Sequence, residues 1–288
     1  MQGHTPRKRF GQNFLADPHY VARIVDAIAP APGDNLVEIG PGLAALTGPL
    51  VARAGHLTAI EIDRDLAARL AADFPPERLT LHVADALDFD FATLGTGLRV
   101  VGNLPYNISS PLLFHLARYE TRLADVHVML QREVVARMAA APATPDYGRL
   151  SVMLQAKFAV TRLFVVPPGA FRPAPKVDSA VVRLVPLGAA RPAIVDDALF
   201  ARVVAAAFGH RRKTLRNALA GVCDAAAMAA AGIDPGARGE TLAVADFVRL
   251  ANLLASRPAN GVTTPDPAAP AAPRCAPSSA ARSRRGRG

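Results

Sequence analysis

A chain of 288 residues with 51% hydrophobic and 20% charged side chains has the size of one large domain plus a smaller one and the composition of a folded protein. No apolar run approaches the ~18 residues that cross a bilayer, the basic N-terminal stretch lacks the apolar core of a signal peptide, and Cys223 and Cys275, with no CxxC spacing, exclude a disulfide framework and a cysteine metal site. The net charge of +9 points to a polyanionic partner such as nucleic acid, but six arginines against one aspartate from Arg257 onward hold +5 of it, leaving +4 for the rest.

Four short apolar runs follow one another at near-even spacing: "NLVEIG" (35–40), "LTAIEI" (57–62), "LTLHVAD" (79–85) and "LRVVGN" (98–103). Each reads as a buried strand of a parallel sheet. Helical patterns, "LTGPLVARAG" and "RDLAARLAADF", separate the first three. Pro49 is tolerable in the first turn of its helix, with Thr47 or Gly48 as the cap. Further on, "SPLLFHLARY" and "REVVARMAA" read as helices and "VHVMLQ" as a strand. "SVMLQAKFAVTRLFVV" (151–166) reads as strand material and "DSAVVRLVPL" as a late strand. This alternation predicts an α/β doubly wound, Rossmann-like fold.

After about residue 188 the pattern becomes helical throughout, in "VDDALFARVVAAAF", "RRKTLRNALA", "DAAAMAAAG" and "TLAVADFVRLANLLA", with Asp234–Pro235 as a helix start. The expected organisation is a catalytic domain over 1–187, a smaller helical domain over 188–256, and a disordered basic tail rich in Pro, Ala and Ser over 257–288.

Chemistry gathers at the strand tips. Gly40 and Gly42 form a glycine-rich turn after the first strand, where α/β folds bind cofactors. Taken alone, a G-x-G is as consistent with a tight turn. Glu61 ends the second strand, placed to bond ribose hydroxyls, and Asp85 ends the third, placed to accept from an adenine amine. A dinucleotide-dependent dehydrogenase shares this frame, but usually carries a third glycine. Here the run is G-P-G-L-A-A, with Glu38 inside the motif. That pattern resembles the first motif of S-adenosylmethionine-dependent methyltransferases, whose cofactor has no pyrophosphate to be repelled by an acid.

The fourth strand ends in Asn103-Leu104-Pro105-Tyr106. This resembles the motif of methyltransferases that modify exocyclic base amines. An adenine amine is a weak nucleophile because its lone pair is delocalised into the ring. The Asn103 side-chain oxygen and the Leu104 carbonyl would hold its hydrogens and favour a localised lone pair. Pro105 biases Leu104 away from helical backbone, and Tyr106 would stack on the base.

The segments "RKRFGQNFL", "VEIGPGLAALT", "EIDRDLAARL", "GNLPYNISSPLLFHL", "LQREVVARM", "YGRLSVM", "PPGAFRPAPKVDSAVVRLVP" and "FGHRRKTLRNAL", in order over about residues 7–255, together resemble the bacterial ribosomal RNA adenine dimethyltransferase family, in particular its small-subunit (16S) branch. The resemblance implies dimethylation of two adjacent adenosines in the 3′-terminal hairpin of 16S rRNA, within the small ribosomal subunit or its precursor. It implies S-adenosyl-L-methionine as cofactor and a monomer, while the two cysteines without metal spacing and the short apolar runs point to no metal, no membrane and a reducing cytoplasm. It adds Asn13 and Leu15 to Gly40, Gly42, Glu61, Asp85 and Asn103 as cofactor contacts. It adds Phe171 as the aromatic facing Tyr106 across the target adenine, and Arg211, Arg212, Lys213 and Arg216 as RNA phosphate contacts. Ala44 stands where family members often have glycine. The rivals are a large-subunit RNA methyltransferase conferring macrolide resistance and an assembly or transcription factor that kept the fold without catalysis.

Overall fold

The structure, a computed structural model, describes residues 13–210 and 212–256, so the tail expected to be disordered lies outside the described residues. The four expected strands form as β2 (Asn35–Ile39), β3 (Leu57–Glu61), β4 (Leu79–Val83) and β5 (Leu98–Asn103). A two-residue β1 (Phe14–Leu15) precedes them, and β6 (Leu123–Gln131), β7 (Phe158–Val166), β8 (Phe171–Arg172) and β9 (Ser179–Pro186) follow. Seven strands make one sheet in the order β4-β3-β2-β5-β6-β9-β7. Its first five strands run parallel, and β9 is antiparallel to both β6 and β7. The progression reverses between β2 and β5, and beyond the carboxyl ends of such a pair α/β folds open a crevice.

Both faces of the sheet are covered, which is why its central strands read as unbroken apolar runs. Alternation sends Val37, Ile39, Val100 and Val126 to one face, under α4 (Ser109–Leu116). Leu36, Ala59, Val101 and Met129 go to the other, under α1 (Pro18–Ile28) and α2 (Thr47–Ala54). Helix α1 escaped the sequence reading, yet its signals are ordinary: Asp17 accepts from the His19 amide at 2.9 Å, Pro18 opens the first turn, and Ile24, Val25 and Ile28 turn inward. Pro49 lies in the first turn of α2, but Leu46 takes the cap position without a side-chain bond. At the amino end of the sheet Arg99 bonds Asp34 (2.6 Å), Asp125 (3.0 Å) and the Ile28 carbonyl (2.6 Å), tying α1 to β2, β5 and β6. Burial alone would raise the Asp125 carboxyl, but His127 and Arg99 outweigh it and hold the pKa down to about 2.

Three expectations need correction. Residues 151–166 are not continuous strand: α6 (Arg149–Gln155) fills the first half, the Ser151 hydroxyl bonding the Arg137 carbonyl and the Gly148 amide, and β7 begins only at Phe158. Asp234–Pro235 starts no helix, because the Asp234 carboxylate accepts from the Gly236 amide at 2.8 Å and closes a turn. Among the described residues of the basic run, helix is confined to the four residues of α8 (Leu215–Ala218), and residues 212–214 ahead of it are not helical. The remaining helices, α5 (Arg132–Met138), α7 (Asp197–Gly209), α9 (Ala225–Ala230) and α10 (Val244–Ser256), fall close to their expected places, as does α3 (Arg64–Asp73). Helices α7 to α10 share one apolar cluster with Tyr147, Val152 and Ala156, and the Tyr147 hydroxyl donates to the Leu242 carbonyl at 2.9 Å. The described residues up to Ser256 form one compact unit.

Gly102 controls how closely β5 approaches β2. A Cβ there would lie 2.6 Å from the Ile39 carbonyl oxygen, a backbone atom that cannot turn aside. Gly48, inside α2, has open space around the same position. Gly102→Ala is therefore expected to lose about 1–3 kcal/mol of stability through overpacking. Gly48→Ala should gain roughly 0.5–1 kcal/mol through lower unfolded-state entropy. Denaturant midpoints of the two variants check both signs.

Candidate active site

The carboxyl ends of β2, β3, β4 and β5 open onto one cavity of about 320 Å³. Gly40 and Gly42, after β2, form its first wall with φ of +67° and +59°. Gly42 also lies under Phe14, where an added Cβ would sit 3.0 Å from the ring. Ala44 shares the left-handed backbone at φ +66°, a conformation that favours glycine.

The turn is held by acids. Glu61, at the tip of β3, accepts from the Gly42 amide (3.1 Å) with one oxygen and from the Asp63 amide (2.9 Å) with the other. Glu38, in β2, accepts from the Thr47 hydroxyl at 2.7 Å. Both carboxylates are buried and line the cavity, and among the described residues neither meets a cation. Burial pushes the Glu38 pKa up to about 7, with the Thr47 bond opposing the rise and the Glu61 charge adding to it. Burial likewise raises Glu61, against the backbone bonds that stabilise its charge and with the Asp63 charge adding to the rise. Asp85, two residues beyond β4, lines the same cavity half-buried and accepts from the Leu87 amide at 2.9 Å.

At the tip of β5 the Asn103 amide nitrogen donates to the Asn13 carbonyl at 2.8 Å. A carbonyl only accepts, so this bond assigns the flip of the amide and leaves Oδ1 as the free acceptor. The Leu104 amide donates to the Met129 carbonyl at 3.1 Å, fixing the turn against β6. Among the described residues no donor takes the Leu104 carbonyl. Leu104, Pro105 and Tyr106 line the cavity with Asn13 and Leu15. Tyr106 is half-buried, and its hydroxyl sits 2.7 Å from the Ser179 hydroxyl.

Ten of the expected site residues thus converge on one space: Asn13, Leu15, Gly40, Gly42, Glu61 and Asp85 beside Asn103, Leu104, Pro105 and Tyr106. Phe171 is not among the residues that line this cavity. It is fully buried in the cluster containing Leu15, Ile24 and Val166, and β8 sets it directly opposite Leu15 of β1. Burying such a ring is worth roughly 1.5–3 kcal/mol, and here that gain keeps it in the core. Arg212 and Lys213 are exposed in the turn after α7, and Arg216 is exposed on α8 while Leu215 turns inward. Arg211 lies outside the described residues. Sequence reasoning missed Thr47 and Ser179, since a single hydroxyl residue carries no pattern before the fold brings it to its partner.

Comparison with known proteins gives a consistent picture. The family model described as "Ribosomal RNA adenine dimethylase" matches residues 3–256. A protein of Aromatoleum aromaticum named ribosomal RNA small subunit methyltransferase A is 63% identical over 257 residues, covering 89% of this chain and 97% of its own. A protein of the same name from Thiobacillus denitrificans is 61% identical over 254 residues, covering 88% and 100%. Among solved structures, the 23S rRNA methyltransferase ErmE is 28% identical with a TM-score of 0.64, covering 84% of this chain and 100% of its own. A dimethyladenosine transferase from Plasmodium falciparum shares the fold with a TM-score of 0.71 at 23% identity, covering 82% and 95%.

The Glu38 carboxyl gives the site a pH signature. Its pKa is raised on folding, so the folded state binds the proton more tightly, and stability falls as pH rises from about 4.5 towards 7. Glu38→Gln keeps an acceptor for Thr47 and removes the titration. Unfolding curves at several pH values should show the variant losing up to roughly 3 kcal/mol of the wild-type slope between those limits.

Proposed function

The chain belongs to the ribosomal RNA adenine dimethylase family, and from that premise we propose that it dimethylates the N6 amines of two adjacent adenosines in the 3′-terminal hairpin of 16S rRNA during small-subunit assembly. The observation that carries the reading is Asn103: with its amide nitrogen committed to Asn13, it offers the cavity an acceptor beside the Leu104 carbonyl. The family's cofactor is S-adenosylmethionine, which when bound supplies a methyl group on a positively charged sulfur. The cavity suits it chemically. Buried Glu38 and Glu61 favour a cationic ligand over a pyrophosphate, and Glu61 and Asp85 keep lone pairs for ribose and adenine donors. Asn13, Leu15, Gly40 and Gly42 complete the residues that would hold it.

The reaction asks this chain for positioning more than for a base. Asn103 Oδ1 and the Leu104 carbonyl accept the two amine hydrogens and draw the lone pair out of the ring, leaving it free for the methyl group. Tyr106 stacks on the purine and holds its plane. Such ordering alone accounts for several kcal/mol of barrier in intramolecular reactions. The small-subunit target is favoured over a 23S target because relatives named for the small subunit are 55–63% identical, against 28% for ErmE. Arg212, Lys213 and Arg216 supply exposed cations for RNA phosphates, Arg211 joins them on the sequence resemblance alone, and residues 188–256 are the part of the chain that carries them. A monomer working in the cytoplasm completes the proposal; among the described residues no helix is long and apolar enough to cross a membrane.

Asn103→Ala is expected to slow methylation of undermethylated small subunits by ~100-fold or more, with RNA affinity kept. Mapping of dimethyladenosine and filter binding check the pair of outcomes, and near-normal turnover refutes the role of Asn103. Replacing both Arg212 and Lys213 by Ala should weaken subunit binding and reduce its salt dependence by about 2 units, one per phosphate contact. Binding titrations over a range of salt measure that slope, and an unchanged slope moves the RNA surface elsewhere.

A further inference from the structure

Tyr106 is fixed at two points. Its backbone carbonyl accepts from the Ser109 hydroxyl at 2.8 Å, and Ser109 is itself buried in the first turn of α4. Its phenolic oxygen lies 2.7 Å from the Ser179 hydroxyl, 73 residues away. Ser179 is fully buried at the start of β9 and is paired on both sides, with Gln131 of β6 and Val166 of β7. The residue before it is latched as well: the Asp178 carbonyl accepts from the Arg132 amide at 2.9 Å, and its carboxylate meets the Arg132 guanidinium at 3.1 Å.

The phenolic oxygen lies on the axis about which the ring turns, so holding the backbone at one end and the hydroxyl at the other fixes the ring's long axis and its place in the cavity, and the preference of a phenol's hydrogen bonds for the ring plane biases its rotation. From this geometry we infer that Ser179 is a positioning residue for methyl transfer, holding the Tyr106 ring in the place where the target base stacks on it. The inference rests on the reading of Tyr106 as the base-stacking aromatic. Its competitor is a purely structural role, in which the Ser179 hydroxyl does no more than satisfy a half-buried phenol. The two differ in what they move. A structural bond affects the unfolding midpoint alone. A positioning bond affects turnover, and acts through the Tyr106 hydroxyl only.

The experiment is a double-mutant cycle in the full-length protein, with undermethylated small ribosomal subunits and S-adenosylmethionine as substrates. Ser179→Ala and Tyr106→Phe should each lower kcat by about 10-fold, the order expected for a misaligned reactant, while leaving KM for the cofactor unchanged. The double variant should be no slower than Tyr106→Phe, because without the phenol Ser179 has nothing to orient. It also leaves no unpaired phenol, so it folds even where Ser179→Ala is weakened. Ser179→Thr restores the hydroxyl and should restore most of the rate. Multiplying effects in the double variant, or wild-type turnover for Ser179→Ala with only a lowered midpoint, overturns the positioning role. Tyr106→Ala separates the layers of the argument. If it methylates normally, the stacking reading fails and this inference with it. If it is slow while Ser179→Ala is not, only the positioning inference fails.

Discussion

The active-site geometry depends on how closely β5 can lie against β2. The sheet reverses its order between these strands, and Gly102 faces the Ile39 carbonyl where any side chain would collide. The residues on either side inherit that closeness. Asn103 follows immediately and reaches back across the tip to the Asn13 carbonyl, while Leu104 bonds the far neighbour, β6. A wider spacing would leave the glycine-rich turn and the Asn103–Tyr106 turn as two separate rims. The topology supplies a crevice, and the missing side chain at position 102 makes it one site.

Charge then decides what the crevice accepts. Two carboxylates buried within one cavity, Glu38 and Glu61, lose hydration and are both shifted upward by it, with the Glu61 charge adding to the rise at Glu38 and the Asp63 charge to that at Glu61. The fold holds Glu61 with backbone N–H groups and Glu38 with a hydroxyl. Neutral donors stabilise the acids without cancelling their field. A ligand bearing positive charge therefore gains on entry, and one bearing a pyrophosphate loses. Glu38 is the acid that favours the methyltransferase reading here, since an acid placed like Glu61, like the glycine spacing, suits a dinucleotide as well.

Much of this was legible in the chain itself. Buried parallel strands announce themselves as β-branched runs, and β2 to β5 end within two residues of where those runs end. The strand tips followed, and with them Glu61, Asp85 and Asn103. Features that depend on competition between neighbours were not legible. Residues 151–157 are apolar enough for strand, but Ser151 finds the Arg137 carbonyl and the Gly148 amide and the segment coils into α6. Asp234–Pro235 looks like a helix cap until its carboxylate closes a turn on Gly236. That Phe171 packs among the apolar side chains of β1 and α1 was not legible either, since the resemblance offers it only as an aromatic near the base. Ser179 became meaningful only once three strands had brought it beneath Tyr106.

The division of labour within the proposed site bears on how one enzyme adds two methyl groups to one nitrogen. In the proposed arrangement the first transfer would meet an amine with two hydrogens, one for Asn103 Oδ1 and one for the Leu104 carbonyl. The second meets an amine with a single hydrogen, so one acceptor loses its partner, a difference of about 1 kcal/mol for a neutral bond. Stacking has no such dependence, because the ring face is the same however many methyls the nitrogen carries. The weight of holding the base thus shifts from the hydrogen bonds towards Tyr106 as the reaction proceeds. A ring anchored at its carbonyl and its hydroxyl, on elements that the sheet holds rigid, is suited to that second step.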